Sequence, residues 1–502
     1  MNIQVIINHS IKKVRLLVLL MGISLFAGVC ISLRNYFPIP NTNFFAYAKE
    51  GNEYLSGKIP ELVKLPPVYS ILITIPGLFI HSDYIQLKTA VMMNIVLITS
   101  SFLLIYVYLK KIDTQISLPI TCLLMSNFLS FIVALQPINT AAFVFLFMVA
   151  LTLDIYKKKR LPMIIAGIGY LVRPESIVLL CTLFVKNLVL VFLGHNKIQK
   201  TKEKIILFTD YFFISLTPFV IWEAFAYYHN AKANDYFLEI ARRINEIPNW
   251  SFLVDSEVNY LFYTLALPKI IVLSFMIVLV SICTILLIRG KFREIATLLL
   301  FSLLYAAIHV FFPVASGRYS YVLLLINYVL LFVPILYLHT MHHITSHQKS
   351  ILIVLLTFFL LYVNVRDLPQ GFAKEKKYRE EALLLIEYLR SNNFTKQTVI
   401  LIPEPWIAQY FNQNTKVSVV SAPINCISLS CLTKDNAIQS AEEVLVALDS
   451  YTSRALGKKY FKNFPHAKFF EYFDTRLSAS MVPIYSATLN DSWIRIYQLS
   501  SH

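Results

Sequence analysis

The sequence predicts an α-helical, polytopic membrane protein of about eleven spans (residues 1–365), followed by a small extracytoplasmic α/β domain (366–502). Three observations carry this expectation. Of 502 residues, 57% are apolar and only 15% are charged, with a strongly positive mean hydropathy. Apolar runs long enough to cross a bilayer recur as far as about residue 365, and beyond residue 366 the hydropathy falls to that of a domain able to bury its own core. The net charge of +16 does not indicate a nucleic-acid partner, because the cations are dispersed among short loops between apolar runs, where they hold loops in the cytoplasm.

The first apolar run, 14–33, follows Lys12 and Lys13 and lacks a small-residue cleavage site after it, so it reads as a retained first helix with the N-terminus inside. The next segment, 34–85, is too polar to lie in lipid. Its apolar stretch 66–80 is short and carries Pro66, Pro67, Pro76 and Gly77, which favours an interfacial or re-entrant helix. Further spans follow near 86–109, 116–135, 140–156, 161–172, 175–194, 205–229, 266–288, 295–313, 319–338 and 350–365.

Charge fixes the orientation. If 66–80 does not cross, the inner loops hold Lys110, Lys111, Lys157 to Arg160, Lys197, Lys200, Lys202, Lys204, Arg289, Lys291, Arg293 and Lys349. These outnumber Arg173, Lys232, Arg242, Arg243 and Arg318 in the outer loops after the first. A crossing there would reverse the positive-inside bias, so 66–80 stays on the outer face and the C-terminal domain is extracytoplasmic.

In that domain 378–391 has helical spacing, while 398–403, 416–421 and 443–450 read as strands. Residues 484–499 read as a closing hairpin turning near Asn490 and Asp491. It has no phosphate-binding glycine loop, nucleophile elbow or metal-ligand spacing, which leaves it a structural or acceptor-docking role. Cys426 and Cys431 there are read as a small structural disulfide. Cys30, Cys122, Cys181 and Cys283 lie in apolar runs as packing residues.

Three outward stretches offer chemistry. The first segment sets Glu50, Glu53 and Glu61 among Phe44, Phe45, Tyr47 and Tyr54, either as reactive groups or as solvated interfacial acids. Arg173, in Leu-Val-Arg-Pro-Glu at 171–175, lies at a turn below the outer surface. A cation at membrane depth marks a functional site or a buried pair with Glu175 or a helix end. Arg318, between Gly317 and Tyr319, either meets a ligand or anchors at the headgroups. Two guanidinium groups at one headgroup depth suit a lipid phosphate, whose oxygens they match bidentately.

Taken together, the order of features resembles that of integral-membrane glycosyltransferases with the C-type fold. The similarity is to relatives of the dolichyl-phosphate-mannose protein mannosyltransferase and lipid A aminoarabinose transferase families. The resemblance covers about residues 14–345. It rests on Tyr47, Tyr54, Gly57 and Pro60 leading to Pro66, Pro67 and Tyr69, on Lys110-Lys111, on Gly-Tyr-Leu-Val-Arg-Pro-Glu at 169–175, and on Gly-Arg-Tyr at 317–319. It implies transfer of a sugar from a polyprenyl-phosphate donor to a lipid, glycan or protein acceptor on the outer face of the cell membrane, with inversion. Arg173, Arg318 and Lys64 would meet the donor phosphate, and Tyr47, Tyr54 and Tyr69 would line the substrate segment.

Such families place a basic aspartate in the first outer segment, where this chain has Asn41 and Asn43, and an amide is no base at neutral pH. Glu50, Glu53 and Asp83 are the carboxylates that can take its role. No cofactor is implied and no ligand spacing demands a metal, although the outer carboxylates leave a divalent cation open. A non-catalytic scaffold sharing the fold, or a lipid-linked-sugar transporter, are the alternatives; the long asymmetric first segment argues against the transporter. A reporter thiol at Ser82 is expected to react with membrane-impermeant reagents only from outside the cell, and labelling solely from inside would reverse the orientation.

Overall fold

The computed structural model describes residues 3–34, 42–60, 66–80, 84–156, 160–193, 198–228, 293–310, 317–402, 416–420, 432, 436–450, 467–477, 480–489 and 492–499. The fold is mostly helical with a small C-terminal sheet, and it divides into two compact units. Met1–Asn35 with Ala46–Pro369 form one, and Tyr36–Phe45 with Gln370–His502 form the other.

The first unit opens with α1 (Ile3–Leu33), whose helix begins well before the apolar run. The 34–85 segment is not a loop. It contains α2 (Thr42–Leu55) and α3 (Pro67–Thr74), the latter extended by a 3-10 turn at Ile75–Leu78. Pro66 and Pro67 start α3 where backbone N–H groups have no helical acceptor in any case. Pro67–Leu78 is about 18 Å long at helical rise, short of an apolar bilayer core of about 30 Å.

Next come α4 (Ile85–Ile112), α5 (Thr114–Met125), α6 (Phe128–Leu135) and α7 (Thr140–Ile155). Asp113 caps α5 by accepting from Gln115 N at 2.8 Å, and Asn127 caps α6 by accepting from Leu129 N at 2.9 Å. That second cap accompanies a 63° bend between α5 and α6, an apolar pair with the shape of a broken span or a re-entrant loop. Then follow α8 (Leu161–Gly169), α9 (Ser176–Leu193), α10 (Ile198–Tyr228), α11 (Arg293–Val310), α12 (Gly317–Thr340) and α13 (Ser346–Ser391). Among the described residues, four helices are long and apolar enough to cross a membrane, or five with the bent pair. The expected span 161–172 is a nine-residue helix followed by turns. The turns continue as far as Arg173 N, which donates to the Gly169 carbonyl, and stop there because the residue before a proline disfavours helical backbone. The expected span 266–288 lies outside the described residues. Large apolar side chains stay exposed on α1 (Val14, Leu17, Met21, Leu25) and α13 (Leu355, Phe358, Phe359), as lipid-facing surfaces require. The chain is a multi-pass membrane protein.

Two close crossings set the spacing of this unit. A Cβ on Gly51 would stand well inside 3.0 Å of Thr74 Oγ1 and of the Ser70 carbonyl, so only glycine lets α2 lie against α3. Gly167 meets the Ser215 carbonyl of α10 in the same way.

The second unit contains a five-stranded sheet, ordered β2-β1-β3-β5-β4, from β1 (Thr398–Leu401), β2 (Val417–Val420), β3 (Glu443–Asp449), β4 (Tyr485–Leu489) and β5 (Ser492–Leu499). β1 pairs in parallel with β2 and β3, while β5 runs antiparallel to β3 and β4. Leu384, Leu385, Tyr388 and Leu389 near the end of α13 cover one face. Phe469, Phe470 and Phe473 cover the other, which is why every residue of β1 is buried. Burial, with Glu443 and Tyr485 nearby, pushes the Tyr388 hydroxyl up to about 12. The expected strands and closing hairpin are present. α13 runs through the sequence boundary at 365 without a break.

Gly51→Ala is expected to destabilise the purified protein by roughly 1–3 kcal/mol, the usual cost of overpacking, seen as a lower Tm. Gly28→Ala, whose Cβ meets nothing within 4 Å, leaves Tm unchanged.

Candidate active site

One set of polar contacts of the helical unit lies where α2, α3, the start of α4, the α6–α7 turn and the α8–α9 turn meet. Tyr47 of α2 packs edge-on against Tyr69 of α3 at 4.9 Å between ring centres, and both are buried. The Tyr69 hydroxyl donates to Asn94 Oδ1 at 3.4 Å. Burial, then Tyr47, raises the pKa of the Tyr69 hydroxyl, and the Asn94 contact opposes the shift. Asn94 Nδ2 in turn donates to the Gln136 and Ile138 carbonyls at 2.6 and 2.9 Å. Gln86, in the first turn of α4, donates to Asn52 Oδ1 at 2.8 Å and Thr74 Oγ1 at 3.2 Å, tying α2 to α3.

The same junction holds Arg173. It is 4% exposed, with Nε 2.9 Å from Glu175 Oε1 and Nη1 donating to Thr140 Oγ1 at 2.6 Å. Its guanidinium also lies 5.7 Å from the Phe143 ring centre. Asn139 Nδ2 donates to the Val172 carbonyl at 2.6 Å, and Val68 N donates to the Leu171 carbonyl at 3.2 Å. The first segment and the arginine turn are therefore hydrogen-bonded to each other. Of the two sequence alternatives for Arg173, the buried pair with Glu175 is formed, within a site that also contains the first segment.

Among the carboxylates, Glu50 is 4% exposed, which corrects its reading as a solvated interfacial acid: α2 turns it inward. Glu53 is partly exposed and lies 3.8 Å from Lys49. Burial, followed by the charges of Glu50 and Glu53, raises the pKa of the Tyr54 hydroxyl, so it stays protonated. Asn43 lies in the first turn of α2 and Arg318 in the first turn of α12. Lys64, Asp83, Cys426, Cys431 and the loop 230–265 lie outside the described residues. No group of three or more metal-binding side chains forms among the described residues.

The sequence reading gave no site role to Asn94, Trp222 and Glu223, nor to Asn139 and Thr140, which stand where the resemblance expects a second acidic residue. A usable signal existed for Asn94, a polar residue amid an apolar helix. Glu223 accepts a hydrogen bond from the Tyr170 hydroxyl, a pairing across 53 residues that local spacing does not reveal.

No protein-family model matches the sequence, and no curated protein matches it. Solved structures do. The oligosaccharyltransferase of Archaeoglobus fulgidus, tethered to an acceptor peptide containing the NVT sequon, superposes with a TM-score of 0.50 at 10% identity, covering 96% of this chain and 74% of that one. Its apo form gives 0.50 at 10% identity, over 88% and 70%. The chain has the C-type glycosyltransferase fold. ArnT from Cupriavidus metallidurans bound to undecaprenyl phosphate also matches, with a TM-score of 0.47 at 12% identity over 95% and 98%.

Breaking the Arg173–Glu175 pair from one side strands a buried charge, at a cost of about 3–5 kcal/mol. Glu175→Ala is therefore expected to lower Tm more than the double variant Arg173→Met/Glu175→Met. Equal losses in both would remove the buried-charge account.

Proposed function

We propose that the protein is a membrane glycosyltransferase that moves a sugar from a polyprenyl-phosphate donor to an acceptor on the outer face. The observation that carries this reading is the junction of the first segment with the Arg173 turn inside a C-type fold. Glu50, buried beside Tyr54, is the carboxylate we assign as the base that takes the acceptor proton as the anomeric carbon is attacked, with departure of the lipid phosphate. Arg173 balances the developing phosphate charge, with Glu175 and Thr140 holding the guanidinium in place. Arg318 and Lys64 are assigned as further phosphate contacts, and Asn43 as a polar neighbour in place of the expected aspartate.

The opposite end of the helical unit supports the orientation. Arg15 Nη1 donates to the Thr114 carbonyl at 3.0 Å, Lys349 pairs with Asp113, and Lys186 pairs with Asp154. With Lys110, Lys111 and Arg160 this end is rich in cations, and we assign it to the cytoplasm. The transfer site then faces outward, with the N-terminus inside and residues beyond 365 outside. Residues 1–365 form the transferase domain and 366–502 an acceptor-docking one. The tethered acceptor peptide of the archaeal oligosaccharyltransferase supports a polypeptide among the acceptor classes. Asn41 and Asn43, standing where the resemblance expects a carboxylate, favour a second reading as a non-catalytic scaffold.

Purified protein in nanodiscs given a radiolabelled polyprenyl-phosphate sugar separates these readings. Release or transfer of the sugar, reduced about 100-fold or more in Glu50→Gln as expected for a lost general base, supports the enzyme. Vesicle-to-vesicle movement without bond cleavage identifies a transporter, and neither result leaves the scaffold.

A further inference from the structure

Beside the arginine turn, on its α10 side, stands a group of rings and acids that the transfer chemistry does not use. Tyr54 of α2 packs 6.5 Å from Trp222 of α10, and Trp222 stacks on Phe225 at 5.7 Å. Tyr170 meets Phe219 edge-on at 4.8 Å. Tyr170 and Trp222 are buried and form the floor, whereas Tyr54, Glu53 and Glu223 are only partly buried and form its rim. Two polar features have no structural use there. The Tyr54 hydroxyl oxygen is buried and meets no hydrogen-bond partner among the described residues. Glu223 has one carboxylate oxygen fixed by Tyr170, which orients the other without occupying it. An unsatisfied buried hydroxyl is costly, and a ligand oxygen would remove that cost.

We propose that Tyr54 and Glu223, set on the Trp222–Tyr170 floor, read the sugar of the donor. A pyranose offers what this surface lacks: hydroxyls to donate to a carboxylate, an oxygen to accept from a tyrosine, and C–H faces to lie against aromatic rings. The position agrees, because Leu171 packs on the same rings and lies two residues from Arg173. A sugar bonded to a phosphate at Arg173 therefore has this rim as its neighbour. Glu223 and Tyr54 are specificity residues, and the proton transfer assigned to Glu50 does not pass through them. The inference rests on the transferase reading above.

The test measures the affinity of purified protein in nanodiscs for five probes: bare polyprenyl phosphate and its glucosyl, mannosyl, galactosyl and xylosyl esters. The parent protein is expected to bind at least one glycosylated probe about tenfold or more tightly than the bare lipid, as fits one charge-assisted hydrogen bond. Glu223→Gln keeps an acceptor for Tyr170 and Tyr54→Phe keeps the ring contact with Trp222, so both preserve the packing. Each is expected to narrow that gap to within about twofold, since the charge-assisted or donated hydrogen bond is lost. Equal binding of all five probes by the parent protein overturns the sugar-reading role, and so does an unchanged gap in both variants. Failure of the parent protein to bind even the bare lipid instead overturns the transferase reading.

Discussion

A guanidinium group that is 4% exposed dictates much of the arrangement where α2, α3 and the arginine turn meet. Arginine does not lose its proton, so the desolvation cost of several kcal/mol has to be offset by partners in fixed places. Glu175, two residues along, supplies the countercharge, but the sharp turn that brings it back is itself held from outside. Thr140 and Asn139 at the start of α7 grip the guanidinium and the Val172 carbonyl. Val68 at the start of α3 grips Leu171. Displacing any of these segments exposes a charge or a carbonyl in a medium that cannot solvate it. The arginine thus acts as a registration point for the first segment and for the start of α7.

The first segment is fixed from its other side by shape rather than charge. Gly51 lets the backbones of α2 and α3 approach within a distance no side chain tolerates. Tyr47 and Tyr69 fill the space one turn away. Gln86 then bridges both helices from α4. This crossing turns Glu50 inward and sets Tyr54 against α10, so a glycine without chemistry of its own determines where an acid and a hydroxyl are presented.

Much of the helical scaffold was legible in the sequence, because apolar runs of Leu, Ile and Phe bounded by Lys-Lys and Pro are the physical cause of the spans and their ends. The C-terminal strands were legible for the same kind of reason: short β-branched runs such as Thr398–Leu401 can be buried on both faces. α2 was hidden by its composition. Its Asn, Lys and Glu residues made the whole segment read as loop, although Phe44, Tyr47, Ala48, Gly51 and Tyr54 lie at helical spacing. Arg173 was identified as costly, and its partner Glu175 was in view. The contacts of Thr140, Asn139 and Glu223 were not, since each becomes relevant only when two distant helices meet, and periodicity carries no information about that.

The two ends of the helical unit differ in kind, and the difference bears on mechanism. At the cation-rich end the polar contacts are separate clamps: Lys349 with Asp113, Lys186 with Asp154, Lys111 over the Tyr156 ring and Arg160 over the Tyr211 ring. At the Arg173 end many of the contacts form a largely buried chain through α2, α3, α4, the α6–α7 turn and the α8–α9 turn, in which Gln86, Asn94, Asn139 and Arg173 donate to carbonyls or side chains of other segments. Alternating access would require such a chain to be broken and remade in an apolar medium at every cycle, with each unmade bond costing its full desolvation. Transfer chemistry has the opposite requirement, a fixed set of charges around which the substrate alone rearranges. The linked, buried contacts of the Arg173 end suit the proposed transfer reaction.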